Sequence, residues 1–152
     1  MIQRIQTIYL LLAAILLTVC ACLPIGTFVP TAVGIPSEMY NISIINGETG
    51  TWDFSGFSLF MLLVAAAAVT VMNVFNYHNR KKQKNYCNIA ILVALLWIAD
   101  YFISAELLCP EGMEFKYGFA AALPFFAIIL IWLARKGIIH DENLIKAADR
   151  IR

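Results

Sequence analysis

Charge is scarce in this chain of 152 residues: 14% are Asp, Glu, Lys or Arg, while 61% are hydrophobic. Ordinary soluble domains carry about 25% charged residues, so that class is excluded. Histidine is rarer still, at two. His78 and His140 both fall outside the apolar runs, so no pair of axial haem or metal ligands is available inside them. No phosphate loop, nucleophile elbow or zinc-protease motif occurs, and no cofactor or metal is expected. The four cysteines include no Cys-x-x-Cys pair, which removes the usual signature of a thiol-disulfide enzyme.

Long apolar runs take the place of these features. Crossing a hydrocarbon core of about 30 Å requires roughly 20 apolar residues in a helix, and residues 8–25, 57–76, 87–108 and 117–133 qualify. The expected fold is an all-α membrane domain, a four-transmembrane-helix bundle formed by residues 1–152. It adds a small extracytoplasmic β-hairpin loop in residues 27–56 and a short cytoplasmic amphipathic C-terminal helix in the tail, 134–152. The first run resembles a secretory signal with Arg4 as its basic flank, but no good small-residue cleavage site precedes Pro24, so it is read as a retained span.

The net charge of +1 hides an asymmetry. Arg80, Lys81, Lys82 and Lys84 form a basic knot between the second and third runs, and the positive-inside rule puts such a short connector in the cytoplasm. Arg4, Arg135, Lys136, Lys146, Arg150 and Arg152 then fall on the same side. Lys116 is left as the lone outward cation, among Glu38, Glu48, Asp53, Glu106, Glu111 and Glu114. Both termini are therefore expected inside. Orientation and anionic lipid account for these basic residues, so nucleic acid is not a partner.

Outside the membrane, Pro30, Gly34 and Pro36 break any helix. The alternation over residues 40–45, the Asn46-Gly47 turn and the return over 49–54 predict a hairpin. Because a lone hairpin is marginal in water, Ile42, Ile44, Trp52 and Phe54 should pack on helix ends, headgroups or another protein. Asn41-Ile42-Ser43 also fits a glycosylation acceptor, relevant only in a eukaryotic secretory pathway. In the second run, Ala65, Ala66, Ala67 and Ala68 permit close helix approach and predict a central, buried helix; Asn73 and Asn76 near its inner end read as caps.

Asp100 stands out in the third run, on the order of 12 Å below the outer end of its helix. An unpaired carboxylate there costs several kcal/mol, so it must face protein, water or a proton. Tyr101, Ser104 and Glu106 lie along the same helix, and Lys116 is the outer cation within reach of pairing. Two roles stay open: a hydrogen-bonded structural carboxyl, or proton or ion handling. Pro124 predicts a bend in the fourth helix. In the tail, Asp141 would cap a short helix with Glu142 in its first turn and Arg150 near its end, placing Leu144 and Ile145 on one face. Cys20 and Cys22 stand about 200° apart on a helix and cannot bond to each other. Cys109 lies on their side of the membrane, and a Cys22–Cys109 link is open if the chain brings them together.

The opening Met1-Ile-Gln-Arg-Ile-Gln-Thr-Ile-Tyr-Leu10 and the closing Arg135-Lys-Gly-Ile-Ile-His-Asp-Glu142 and Ala148-Asp-Arg-Ile-Arg152 resemble the family named "domain of unknown function 4293". The resemblance covers the whole chain. It implies a four-span protein of Gram-negative bacteria and supplies no activity, ligand or catalytic residue. The leading expectation is a non-enzymatic accessory or scaffold subunit of the bacterial inner membrane. It would bind a membrane-protein partner, or a second copy of itself, through the hairpin (Trp52, Phe54) or the inner polar residues (Arg4, Asp141, Glu142, Leu144, Ile145, Arg150). The alternatives are a small proton- or ion-coupled transporter using Asp100, and a thiol-disulfide or quinone oxidoreductase using Cys20, Cys22 and Cys109.

Overall fold

A computed structural model describes residues 3–76 and 79–150, and the side chains of all these except residues 3, 4, 145, 146 and 148–150. The order of elements is α1 (Gln3–Cys22), β1 (Gly26–Pro30), β2 (Ser37–Met39), β3 (Ile44–Ile45), β4 (Trp52–Asp53), α2 (Phe57–Phe75), α3 (Arg80–Leu107), β5 (Met113–Tyr117) and α4 (Leu123–Arg150). All four helices are long and apolar enough to cross a membrane. Each presents a narrow stripe inward at helical spacing, as with Leu10, Ala13, Leu17 and Cys20 of α1. Ile8, Leu11, Leu12 and Ile15 on the opposite face remain exposed, as lipid-facing side chains would be.

The helices form a ring in which α1 packs on α2 and α4, and α3 on α2 and α4. The expectation of a central α2 fails: 28% of its span is buried, against 33% of each other span. Of the four consecutive alanines only Ala66 is fully buried, because a ring of four gives every helix one lipid face.

Helix ends also differ from expectation. The basic knot is the first turn of α3, where Asn79 caps the helix by accepting from the Lys82 N–H at 3.3 Å. Cations at a helix N-terminus oppose the macrodipole, so the helix itself gives no reason for them to be there. Residues 113–117 form a strand, so the fourth helix starts at Leu123 and Pro124 sits in its first turn. No intrahelical N–H is needed there, so the proline removes no hydrogen bond from the helix. The tail is no separate helix: α4 continues through it, and Ala134, Ile138 and Asp141 extend the buried stripe of Ala127 and Ile131.

The predicted hairpin exists as β3 and β4, with Ile44 opposite Asp53 and Ile45 opposite Trp52. Its turn is longer than the Asn46-Gly47 dipeptide suggests. The Gly50 N–H donates to Asn46 C=O (2.8 Å), and Gly50 takes the left-handed conformation at φ +65°. Residues 40–43 form a turn closed by Tyr40 N–H to Ser43 C=O. The hairpin does not stand alone, because it is the edge of an antiparallel sheet ordered β4-β3-β2-β1-β5. Phe28 and Met39 point from that sheet into the same core as Trp97 and Tyr101 of α3. The sheet thus lies across one end of the bundle and joins the α1–α2 connection to the α3–α4 connection.

Candidate functional site

At the sheet end, Asn41 is fully buried between two helices. Its amide donates to the Cys20 carbonyl (2.7 Å), one of the acceptors left open at the end of α1. The Trp97 indole N–H donates to its Oδ1 (3.0 Å). One turn along α3, the Tyr101 hydroxyl donates to the Ile25 carbonyl (2.7 Å), and its ring stacks on Trp97 with centroids 5.4 Å apart. Phe115 and Tyr117 meet the Tyr101 ring edge-on from β5. A Cβ at Gly26 would collide with the Phe115 ring, and one at Gly118 would lie 2.7 Å from the Ile25 carbonyl. Both glycines are therefore places where the sheet closes onto its neighbours.

At the opposite end, the Gln6 amide donates to Asp141 Oδ2 (2.7 Å) in a buried contact between α1 and α4. The Arg80 guanidinium donates to the Asp141 main-chain carbonyl (3.3 Å), and Lys84 lies 3.8 Å from Glu142. Asn73 is fully buried and donates to the Cys87 sulfur (3.0 Å), and its Oδ1 has no hydrogen-bond partner among the described residues. It is no cap; Asn76, by contrast, donates to the Met72 carbonyl at the helix end.

Asp100 is half-buried, and its Oδ2 is buried without a hydrogen-bond partner among the described residues. The hydroxyl of Tyr101, one of the partners expected for it, is committed to Ile25. Ser104 is buried one turn away. Lys116 is exposed on β5 and makes no ion pair with Asp100 among the described residues. None of Tyr101, Ser104 and Lys116 is thus drawn into a hydrogen bond or ion pair with Asp100 Oδ2 among the described residues. Cys20 and Cys87 are buried, Cys22 is exposed, Cys109 is half-buried, and all four are free thiols. Cys109 donates weakly to the Met113 carbonyl (3.3 Å), and no Cys22–Cys109 link forms.

A family model described as Domain of unknown function (DUF4293) matches residues 2–151. The chain belongs to that family. A search of curated proteins finds no match. In this DUF4293 chain the two terminal stretches on which the resemblance rests are packed together through Gln6 and Asp141. Asp141 is turned inward, Glu142 is half-buried, and Leu144 is 51% exposed. The side chains of Arg4, Ile145 and Arg150 lie outside the described residues. Trp52 stands on β4 at 60% exposure, and Phe54, in the single 3-10 turn (Phe54–Gly56) that leads from β4 into α2, is 57% exposed.

Sequence reasoning missed Asn41 and Gln6. The acceptor motif around Asn41 cannot be glycosylated in the folded protein, since its amide nitrogen is buried and bonded. A polar side chain inside an otherwise alternating apolar stretch was the available signal for Asn41. Gln6, at the edge of the first run, gave none.

Proposed function

We propose that this DUF4293 protein is a non-enzymatic accessory or scaffold subunit of the bacterial inner membrane, with its sheet outside and both termini in the cytoplasm. The observation that carries this reading is the rigid display of Trp52 and Phe54. The sheet that bears Trp52, and runs directly into the turn that bears Phe54, is fixed to the bundle by buried hydrogen bonds through Asn41 and Tyr101, while both aromatics remain largely exposed. Exposed aromatics on a fixed support are the usual anchors of protein interfaces. The charge distribution supports the orientation: Arg80, Lys81, Lys82 and Lys84 open α3 at the end away from the sheet. Of the two candidate surfaces, the outer one is favoured, because Asp141 and Glu142 are drawn into contacts within the chain.

A photo-crosslinking residue at Trp52, compared with one at the lipid-facing Leu95, tests the reading in intact cells. Crosslinks from Trp52 to one defined protein band, absent from Leu95, are expected. Equal lipid-only adducts from both positions would overturn it.

Asp100 favours a second reading, a small proton- or ion-coupled carrier. Its buried Oδ2, without a hydrogen-bond partner among the described residues, is the kind of group such proteins place within a span. Reconstituted protein should then collapse an imposed pH gradient, and Asp100→Asn should abolish this at unchanged expression. Tight vesicles with the wild type would remove the carrier. No observation favours the redox reading, since Cys20 is buried.

A further inference from the structure

We infer that β5 is a self-association edge, through which two copies of this chain pair in one membrane as a continuous antiparallel sheet centred on Phe115. This rests on the reading that the sheet lies outside a bilayer crossed by all four helices. β5 closes one side of the sheet, paired on one flank with β1 and, among the described residues, with no strand on the other. The flanking bonds Thr31 N–H to Gly112 C=O and Gly118 N–H to Ile25 C=O fix the ladder's parity. In the register that pairs Thr27 with Lys116 and Val29 with Glu114, those two residues of β5 exchange main-chain bonds with β1. The N–H and C=O groups of Met113, Phe115 and Tyr117 therefore face away from β1. Those of Met113 are partly used, by Pro110 and by the Cys109 thiol. Those of Phe115 and Tyr117 are the open edge.

The side chains specify what fits that edge. Met113, Phe115 and Tyr117 share the underside, where the rings of Phe115 and Tyr117 rest on Tyr101. The side chains of Glu114 and Lys116 point the other way; both residues are exposed, and neither side chain makes an ion pair or hydrogen bond among the described residues. A second β5 laid antiparallel with Phe115 opposite Phe115 puts Glu114 opposite Lys116 of the other copy, twice. These are non-hydrogen-bonded positions, where opposed side chains come closest. Shifting the centre by one residue either way opposes Lys116 to Lys116 or Glu114 to Glu114, which is unfavourable. The charges thus select one register.

Symmetry agrees. The two-fold axis of an antiparallel strand pair runs perpendicular to the sheet, so both copies keep the same face down. Because the sheet lies across the ends of the helices, that axis follows the bundle, and both copies enter one bilayer in the same orientation. The interface is isologous, as closed dimers require.

The test is a charge exchange, read as the monomer–dimer equilibrium of fluorophore-labelled protein in liposomes over a range of protein-to-lipid ratios. Glu114→Lys and Lys116→Glu should each weaken the wild-type dimer about tenfold, because both opposed pairs become like-charged. The double variant E114K/K116E should restore it. Mixing the two single variants should give a heterodimer stronger than either homodimer, since one copy then carries two lysines and the other two glutamates. A monomeric wild type at all ratios, or a dimer indifferent to these changes, or a double variant as weak as the singles, would overturn the inference. A monomer whose Trp52 still crosslinks a different protein would leave the accessory reading standing while removing the dimer.

Discussion

Replacing Asn41 by alanine should cost about 3 kcal/mol, since it orphans two buried groups at about 1–3 kcal/mol each. These are the Cys20 carbonyl, 2.7 Å from the amide nitrogen, and the Trp97 indole N–H, 3.0 Å from Oδ1. Asn41 is fully buried, as are Cys20 and Trp97, so water cannot take over either bond without opening the sheet. A loss of that size lowers the folded-to-unfolded ratio more than a hundredfold. Reversible unfolding in mixed micelles of mild and denaturing detergent, followed by circular dichroism, measures it. A double-mutant cycle with Trp97→Phe isolates the shared bond and should return a coupling of about 1 kcal/mol. If Asn41→Ala lies within about 0.5 kcal/mol of the wild type, the usual range for a surface change, the residue is not holding α1, α3 and the sheet together as described.

The remaining predictions concern the other contacts that close the bundle and its orientation. Asp141→Ala should destabilise by about 1–3 kcal/mol by orphaning the buried Gln6 amide, whereas Asp141→Asn, which keeps an acceptor oxygen, should lose less in the same assay. Gly118→Ala should cost about 1–3 kcal/mol, because the added carbon would sit 2.7 Å from the Ile25 carbonyl and push β5 off β1; wild-type stability would refute that close approach. In a Cys109→Ser background, a membrane-impermeant maleimide applied to spheroplasts should label the exposed Cys22 and spare Cys20 and Cys87; labelling of Cys22 solely in inside-out vesicles would invert the proposed orientation.

The helices were legible in the sequence because apolar length and periodicity are local signals. Leu10, Leu17 and Ala66 belong to runs that no soluble fold would accept. The limits of those helices were not legible to the same degree. The window that marks a span ends where hydropathy falls, whereas a helix ends where its hydrogen bonds do, so α3 begins at Arg80 and α4 continues past Asp141. The hairpin was visible in its alternation, but its incorporation into a larger sheet was not. The pairing of Thr27 with Lys116 joins residues far apart in the chain, and neither strand's own pattern names its partner. Asp100 stands out in the sequence as a carboxylate within an apolar run, and nearness along the helix suggests Tyr101 and Ser104 as its partners. The structure commits the Tyr101 hydroxyl to a backbone carbonyl of the sheet instead.

That commitment bears on what holds the bundle together. In lipid, an apolar side chain gains little by exchanging an acyl chain for a neighbouring helix, so the exposed leucines of α1 and its buried ones differ little in transfer free energy. Specific association must then come from close packing and from polar contacts that lipid cannot replace. Such contacts lie at the two ends of this bundle. At one end, Asn41 and Tyr101 tie α1, α3 and the sheet, and β1 with β5 joins the two helix connections. At the other end, Gln6 with Asp141, and Arg80 with the Asp141 carbonyl, tie α1, α3 and α4. Helices fastened at both ends can leave their middle to small residues and lipid without losing register. On this account, Asn41→Ala combined with Asp141→Ala should be close to additive, because the two sites sit at opposite ends and share no partner. A penalty well beyond the sum would mean that each fastening holds only while the other is closed.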